Sequence, residues 1–160
     1  MVDEATWLTG AAGAAVDEGY LEQAASLGER AALLWEAMGR PAQAARALLA
    51  RAAAFATAHV ATEARSAADA ALEAAGAAGD ARAGLYALLA RADVESPLTS
   101  DLVERMRALA DRVGGDTRAD RLRVAARALD AGHVPAADAA VFDDIASDVE
   151  IPVAARLEWW

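Results

Sequence analysis

Along most of this chain the apolar positions fall three and four residues apart, with polar residues filling the opposite side. Residues 20–38 are the clearest stretch. Ala24, Leu27, Ala31, Leu34, Trp35 and Met38 make one stripe of a helix, and Glu22, Glu29 and Glu36 occupy the other face. Leu102, Met106, Leu109 and Val113 form a similar seam in 98–113, Leu122, Ala125, Ala126 and Leu129 in 117–131, and Ala137, Val141 and Ile145 in 135–148. Residues 41–57, 61–78 and 81–93 are so rich in alanine that their buried side is ambiguous; Leu48, Phe55, Leu72, Leu85, Leu88 and Leu89 mark it best.

Turn-forming residues divide these segments with a nearly constant rhythm. Gly19, Gly39, the Ala58-His59-Val60 joint, Gly79, Ser96-Pro97, Gly114-Gly115, Gly132 and Ile151-Pro152 lie roughly 17 to 21 residues apart. Pro41, Pro97, Pro135 and Pro152 all fall where a new helix would start, the position that tolerates a missing N–H. Asp80 and Asp116 follow glycines and are placed to cap the helices after them. No linker tract or charge block interrupts the run, so the pattern predicts one continuous all-α domain. Its modules pair into antiparallel hairpins, each burying its apolar face on the next.

The hairpin is also the unit of internal similarity. Residues 58–64, Ala-His-Val-Ala-Thr-Glu-Ala, resemble residues 132–138, Gly-His-Val-Pro-Ala-Ala-Asp, at an offset of 74, or two units of about 37. Around the turns Ala12, Ala15, Gly19 and Ala24 match Ala125, Ala128, Gly132 and Ala137, and Ala52, Phe55 and Ala64 fit around His59. The third unit aligns through Leu89, Ala92 and Ser96, but Asp101 stands where alanine is expected. In this spacing the chain resembles the tetratricopeptide repeat family, in the degenerate form common in bacterial regulators. The resemblance implies an α–α superhelix of about four helix pairs with a concave, non-catalytic groove for a peptide or another domain. It also implies a place inside a larger regulatory or signalling protein.

Two pairings are open. With intra-repeat turns at 19, 59, 96 and 132 the repeats are 1–38, 39–78, 79–113 and 114–148, followed by a partial fifth, 149–160. With turns at 39, 79 and 114 the first helix is an orphan and Gly132 has no role. The first leaves nothing over and is preferred. It places Arg46, Leu49, Ala53, Tyr86, Ala90, Leu122 and Leu129 in a mainly apolar groove with an aromatic centre. The second lines the groove with Glu29, Glu36, Asp69, Glu73, Asp101 and Glu104 and favours basic ligands.

Composition sharpens this picture in two ways. Of the 160 residues 49 are alanine, while Leu, Ile, Val and Phe together number only 32, so the core is thin and relies on close helix approach. Alanine's helix propensity offsets that thinness. All 15 basic residues are arginine, with no lysine, asparagine or cysteine, as codon bias in a high-GC bacterium would produce. The net charge of −10 repels phosphate backbones and argues against nucleic acid as a partner of this segment. Uncharged stretches such as residues 52–62 are too short to span a bilayer, and the acidic start lacks a signal-peptide pattern, so a cytoplasmic protein is expected.

Candidate chemistry is sparse. Asp143, Asp144 and Asp148 resemble the aspartate-rich sequence with which helical terpene synthases hold magnesium and a diphosphate. The asparagine of that family's partner motif is missing, and a solvated acidic face explains the run better. His59 and His133, the only histidines, sit at turns without further ligands at metal spacing and read as turn-filling residues. Arg118, Arg121, Arg123 and Arg127, interleaved with aspartates, read as a mixed charged face. We therefore expect no catalytic, cofactor or metal site and a protein or peptide partner; a self-assembling helical bundle is the alternative.

Residues 151–160 start like another helix but stop at Trp159-Trp160, as a segment cut within a fifth repeat would. Deleting 151–160 is expected to leave the urea midpoint almost unchanged. Tryptophans packed back on the preceding pair contribute about 2 kcal/mol per buried ring, so a loss of several kcal/mol would refute the truncated-repeat reading.

Overall fold

The turn residues at 19, 39, 59 and 79 share one backbone solution, and that solution sets the architecture. A computed structural model describes residues 1–92, 94 and 99–112. They form six helices: α1 (Val2–Asp17), α2 (Leu21–Ala37), α3 (Pro41–Thr57), α4 (Ala61–Ala78), α5 (Ala81–Ala92) and α6 (Ser100–Arg112). No strand occurs among the described residues, and the fold is an all-α helical array. The proposed repeat 114–148, the partial repeat 149–160 and the residues assigned to them lie outside the described residues.

Gly19, Gly39, His59 and Gly79 adopt left-handed φ values of 81°, 65°, 58° and 66°. At each turn the following amide donates to the carbonyl five residues back: Tyr20 to Ala15, Arg40 to Trp35, Val60 to Phe55 and Asp80 to Ala75, at 2.8–2.9 Å. The left-handed residue's own amide donates to the carbonyl three back. This is a Schellman ending, which satisfies the last carbonyls of one helix while reversing the chain into the next. His59 fills the site where the other turns use glycine and is the only non-glycine residue with positive φ among those described. The intervals between these residues are all 20, so this half of the chain has a pair of 40 residues, longer than the sequence-wide value of about 37.

Helix starts follow the expected chemistry. Pro41 occupies the first turn of α3. The Asp80 carboxylate accepts the Ala83 amide at 3.0 Å, as its place after Gly79 predicts. The hydroxyl of Thr99 accepts the Leu102 amide at 3.3 Å, so α6 starts at Ser100, slightly later than the sequence boundary.

Each helix packs on the next in the chain, and α1 also packs on α3 and α3 on α5. No packing of like extent joins α2 to α4 or α4 to α6, so the array is tighter along its odd-numbered side. Among the described residues 22 of the 30 buried apolar side chains are alanine, and no polar or charged residue is buried. The stripe on α2 is as the sequence predicts, with Ala24, Ala31 and Trp35 buried and Glu22, Glu29 and Glu36 exposed. Trp35 reaches back across α1 and donates from Nε1 to the Thr9 hydroxyl at 2.9 Å. Helix α2 approaches α3 so closely that a Cβ on Gly28 would meet the Ala47 carbonyl oxygen at 2.8 Å.

The 40-residue unit also repeats its surface chemistry. Arg51 on α3 pairs with Glu29 on α2 at 3.3 Å, and 40 positions on, Arg91 on α5 pairs with Asp69 on α4. Arg51 also lies 5.5 Å from the centroid of the Phe55 ring.

Two stability predictions follow from the turns and the close crossing, both readable from urea midpoints. His59→Gly should stabilise the protein by about 0.5–1 kcal/mol by removing a Cβ from a left-handed site, whereas Gly39→Ala should cost about 1 kcal/mol. Gly28→Ala should cost about 1–3 kcal/mol, because the new methyl meets rigid backbone of α3 and not a movable side chain.

Candidate partner-binding site

The residues predicted to line the groove divide unequally. Arg46, Leu49 and Ala53 follow one another at three- and four-residue steps along the part of α3 that faces away from its buried arc. Arg46 is exposed, and Leu49 and Ala53 are half-buried. Leu49 is also an edge of the core, packed against the clusters around Ala45 and Ala47. Tyr86 holds the position on α5 that Arg46 holds on α3, 40 residues earlier, so the two lie on the same side of neighbouring helices. Tyr86 is half-buried, with its hydroxyl oxygen withdrawn from solvent.

Ala90 is placed differently from the expectation. It is 2% exposed and packs in a cluster with Ala52, Ala67 and Ala68, so it offers a partner no surface. The reason is that α5 is covered by α3, α4 and α6, which bury most of its length. Leu122 and Leu129 lie outside the described residues, as do Asp143, Asp144 and Asp148.

The even side carries the acidic residues of the other pairing. Glu29, Glu36, Asp69, Glu73, Asp101 and Glu104 are all exposed. Three of them face arginines: Glu29 with Arg51, Asp69 with Arg91, and Asp101 with Arg105 at 3.7 Å one turn along α6. Such exposed pairs contribute under about 1 kcal/mol each. Where α2 and α4 stand apart, a cleft of about 350 Å³ opens over the start of α3. Pro41 and Ala44 form its floor, with Glu36 and Arg40 on one side and Glu73 on the other.

Sequence patterning missed the most exposed aromatic of the first helix. Trp7 is 66% exposed, beside Met1 and Val2 at 76% and 57%. The overlooked signal was the 40-residue register, which aligns Trp7 with Ala47 and Ala87. Both alanines are buried, at 0% and 1%.

His59 is exposed at its turn. Among the described residues no group of three His, Cys, Asp or Glu is placed to hold a metal ion, and no helix is long and apolar enough to cross a membrane. No protein-family model, curated protein or solved structure matches the chain.

Proposed function

We propose that the chain is a non-catalytic scaffold that binds a protein or peptide along its odd-helix side. On this reading it acts in the cytoplasm as the repeat module of a larger regulatory protein of the tetratricopeptide type. The observation that supports it best is the common placement of Arg46 and Tyr86. The 40-residue register sets a cation and an aromatic on the same side of adjacent parallel helices, with Leu49 and Ala53 beside them. On this reading the contacts of α1 with α3 and α3 with α5, unmatched on the even side, favour a groove along the odd helices. A strip that pairs an aromatic with an arginine has the composition of a recognition surface, in which a few large side chains supply most of the affinity.

A second reading rests on the cleft between α2 and α4. Its Glu36 and Glu73 would suit a basic ligand, and its volume is that of a small-molecule or single-side-chain site.

The test is selection of binding peptides from a displayed library, followed by titration of variants. On the favoured reading Tyr86→Ala and Arg46→Ala each weaken the selected peptides by about tenfold or more, while Glu36→Gln and Glu73→Gln do not. Peptides indifferent to Tyr86 and Arg46 would overturn it, and sensitivity to Glu36 and Glu73 would establish the second.

A further inference from the structure

We propose that the open flank of α1 docks a cationic amphipathic helix of a partner protein. The argument starts from what the same flank does elsewhere in the array. On α3 the side that packs on the preceding helix carries Ala44, Ala47, Arg51 and Ala54; the three alanines are fully buried, and Arg51 pairs with Glu29 of α2. On α5 the equivalent positions carry Gly84 and Ala87, both buried, and Arg91, which pairs with Asp69 of α4. Shifted back by 40, these positions become Glu4, Trp7, Ala11 and Ala14 of α1. Among the described residues no helix covers these positions: Glu4, Trp7 and Ala14 are exposed, with Ala11 half-buried.

The substitutions on α1 decide what can cover it. An alanine or glycine at the equivalents of positions 4 and 7 allows neighbouring helices to approach as closely as α2 approaches α3, where even a Cβ on Gly28 would strike backbone. Trp7 forbids that approach, so another helix of the array's own kind does not fit. The arginine that answers the acidic even helix at 51 and 91 is Ala11 here, and an acidic neighbour would find no cation. A second copy meeting α1 face to face is opposed by charge. Residues 1–29 contain Asp3, Glu4, Asp17, Glu18, Glu22 and Glu29 and no basic side chain.

What fits is a helix that brings the cations. The strip from Trp7 to Ala14 is apolar and small apart from the indole, with open space above Gly10. Carboxylates stand at both ends, Asp3 and Glu4 at one and Asp17 and Glu18 at the other. A partner helix with a small apolar seam lies against Ala11 and Ala14, and its arginines or lysines reach the carboxylates. One of those cations stacks on the exposed face of Trp7, an arrangement an aromatic ring favours.

The probe is a synthetic helical peptide about as long as α1, with an alanine-leucine seam and arginines on both flanks. Its control is the same peptide with glutamate for arginine. Amide chemical shifts of the labelled full chain locate the binding, and anisotropy measures it. The arginine peptide is expected to bind with shifts confined to α1 and to weaken by about tenfold with Trp7→Ala. Leu33→Ala, at an exposed leucine of α2, and Tyr86→Ala should leave that affinity unchanged. The glutamate peptide should not bind. Failure of the arginine peptide to bind, binding indifferent to Trp7→Ala, or shifts centred on α3 and α5 would each overturn the proposal. So would concentration-dependent dimerisation abolished by Trp7→Ala, which would assign the flank to a second copy. Because Tyr86 and Trp7 are tested separately, loss of this docking site leaves the odd-side groove standing, and the reverse also holds.

Discussion

The array depends on how closely its helices approach one another. With 22 alanines among 30 buried apolar side chains, little interior volume is available to fill gaps. Density must come from backbones drawn together, so that methyl groups meet backbone and one another at van der Waals distance. The crossing of α2 and α3 at Gly28 shows the limit, since there is no room for one further carbon. Few larger side chains are fully buried: Leu8, Leu85, Leu88, Leu89 and Met106 are the largest. Trp35 is buried with its ring nitrogen satisfied by Thr9.

Close approach also explains the regularity of the turns. Helices held this tightly must end at the same height and re-enter at the same angle, or the small residues fall out of register. The repeated left-handed turn supplies both conditions, because its two hydrogen bonds fix where one helix stops and the next begins. Constant turn geometry and constant helix length then produce a constant period. That in turn repeats the Glu29–Arg51 arrangement at Asp69–Arg91. The ion pairs are consequences of the register and contribute little to holding it, since all four groups keep contact with solvent.

Much of this is legible in the sequence. Turn-forming residues locate the joints at 19, 39, 59 and 79, and large apolar residues such as Leu48, Trp35, Met106 and Leu102 mark the buried faces correctly; Ser96-Pro97 lie outside the described residues. The reading weakened where alanine dominates, and the physical reason is simple. Alanine is compatible with burial and exposure alike, so the pattern around Ala90 could not show that α5 is covered on three sides. The 40-residue unit was blurred for a related reason. The match between positions 59 and 133 spans shorter helices such as α5 and α6 and so gives a smaller unit than the equal turns of the first half. Trp7 carries no signal in the sequence alone, because a lone aromatic on a helix has no meaning until its equivalents are known to be buried.

That last point says where functional information resides in a repetitive protein. A position that carries the same small residue in each unit is accounted for by packing, and it identifies no partner. Ala47 and Ala87 are of this kind, and so is the recurrence of arginine at 51 and 91. Information about a partner lies where equivalent positions differ and the difference has no internal cause. Arg46 and Tyr86 differ on a stripe where packing permits many residues, so selection by a ligand is free to act there. Trp7 is the stronger case. An exposed indole places a large apolar area in water, and nothing inside the described array is improved by it. A residue that is unfavourable for the isolated fold, at a site where the fold prefers alanine, is best explained by a surface that the fold itself does not supply.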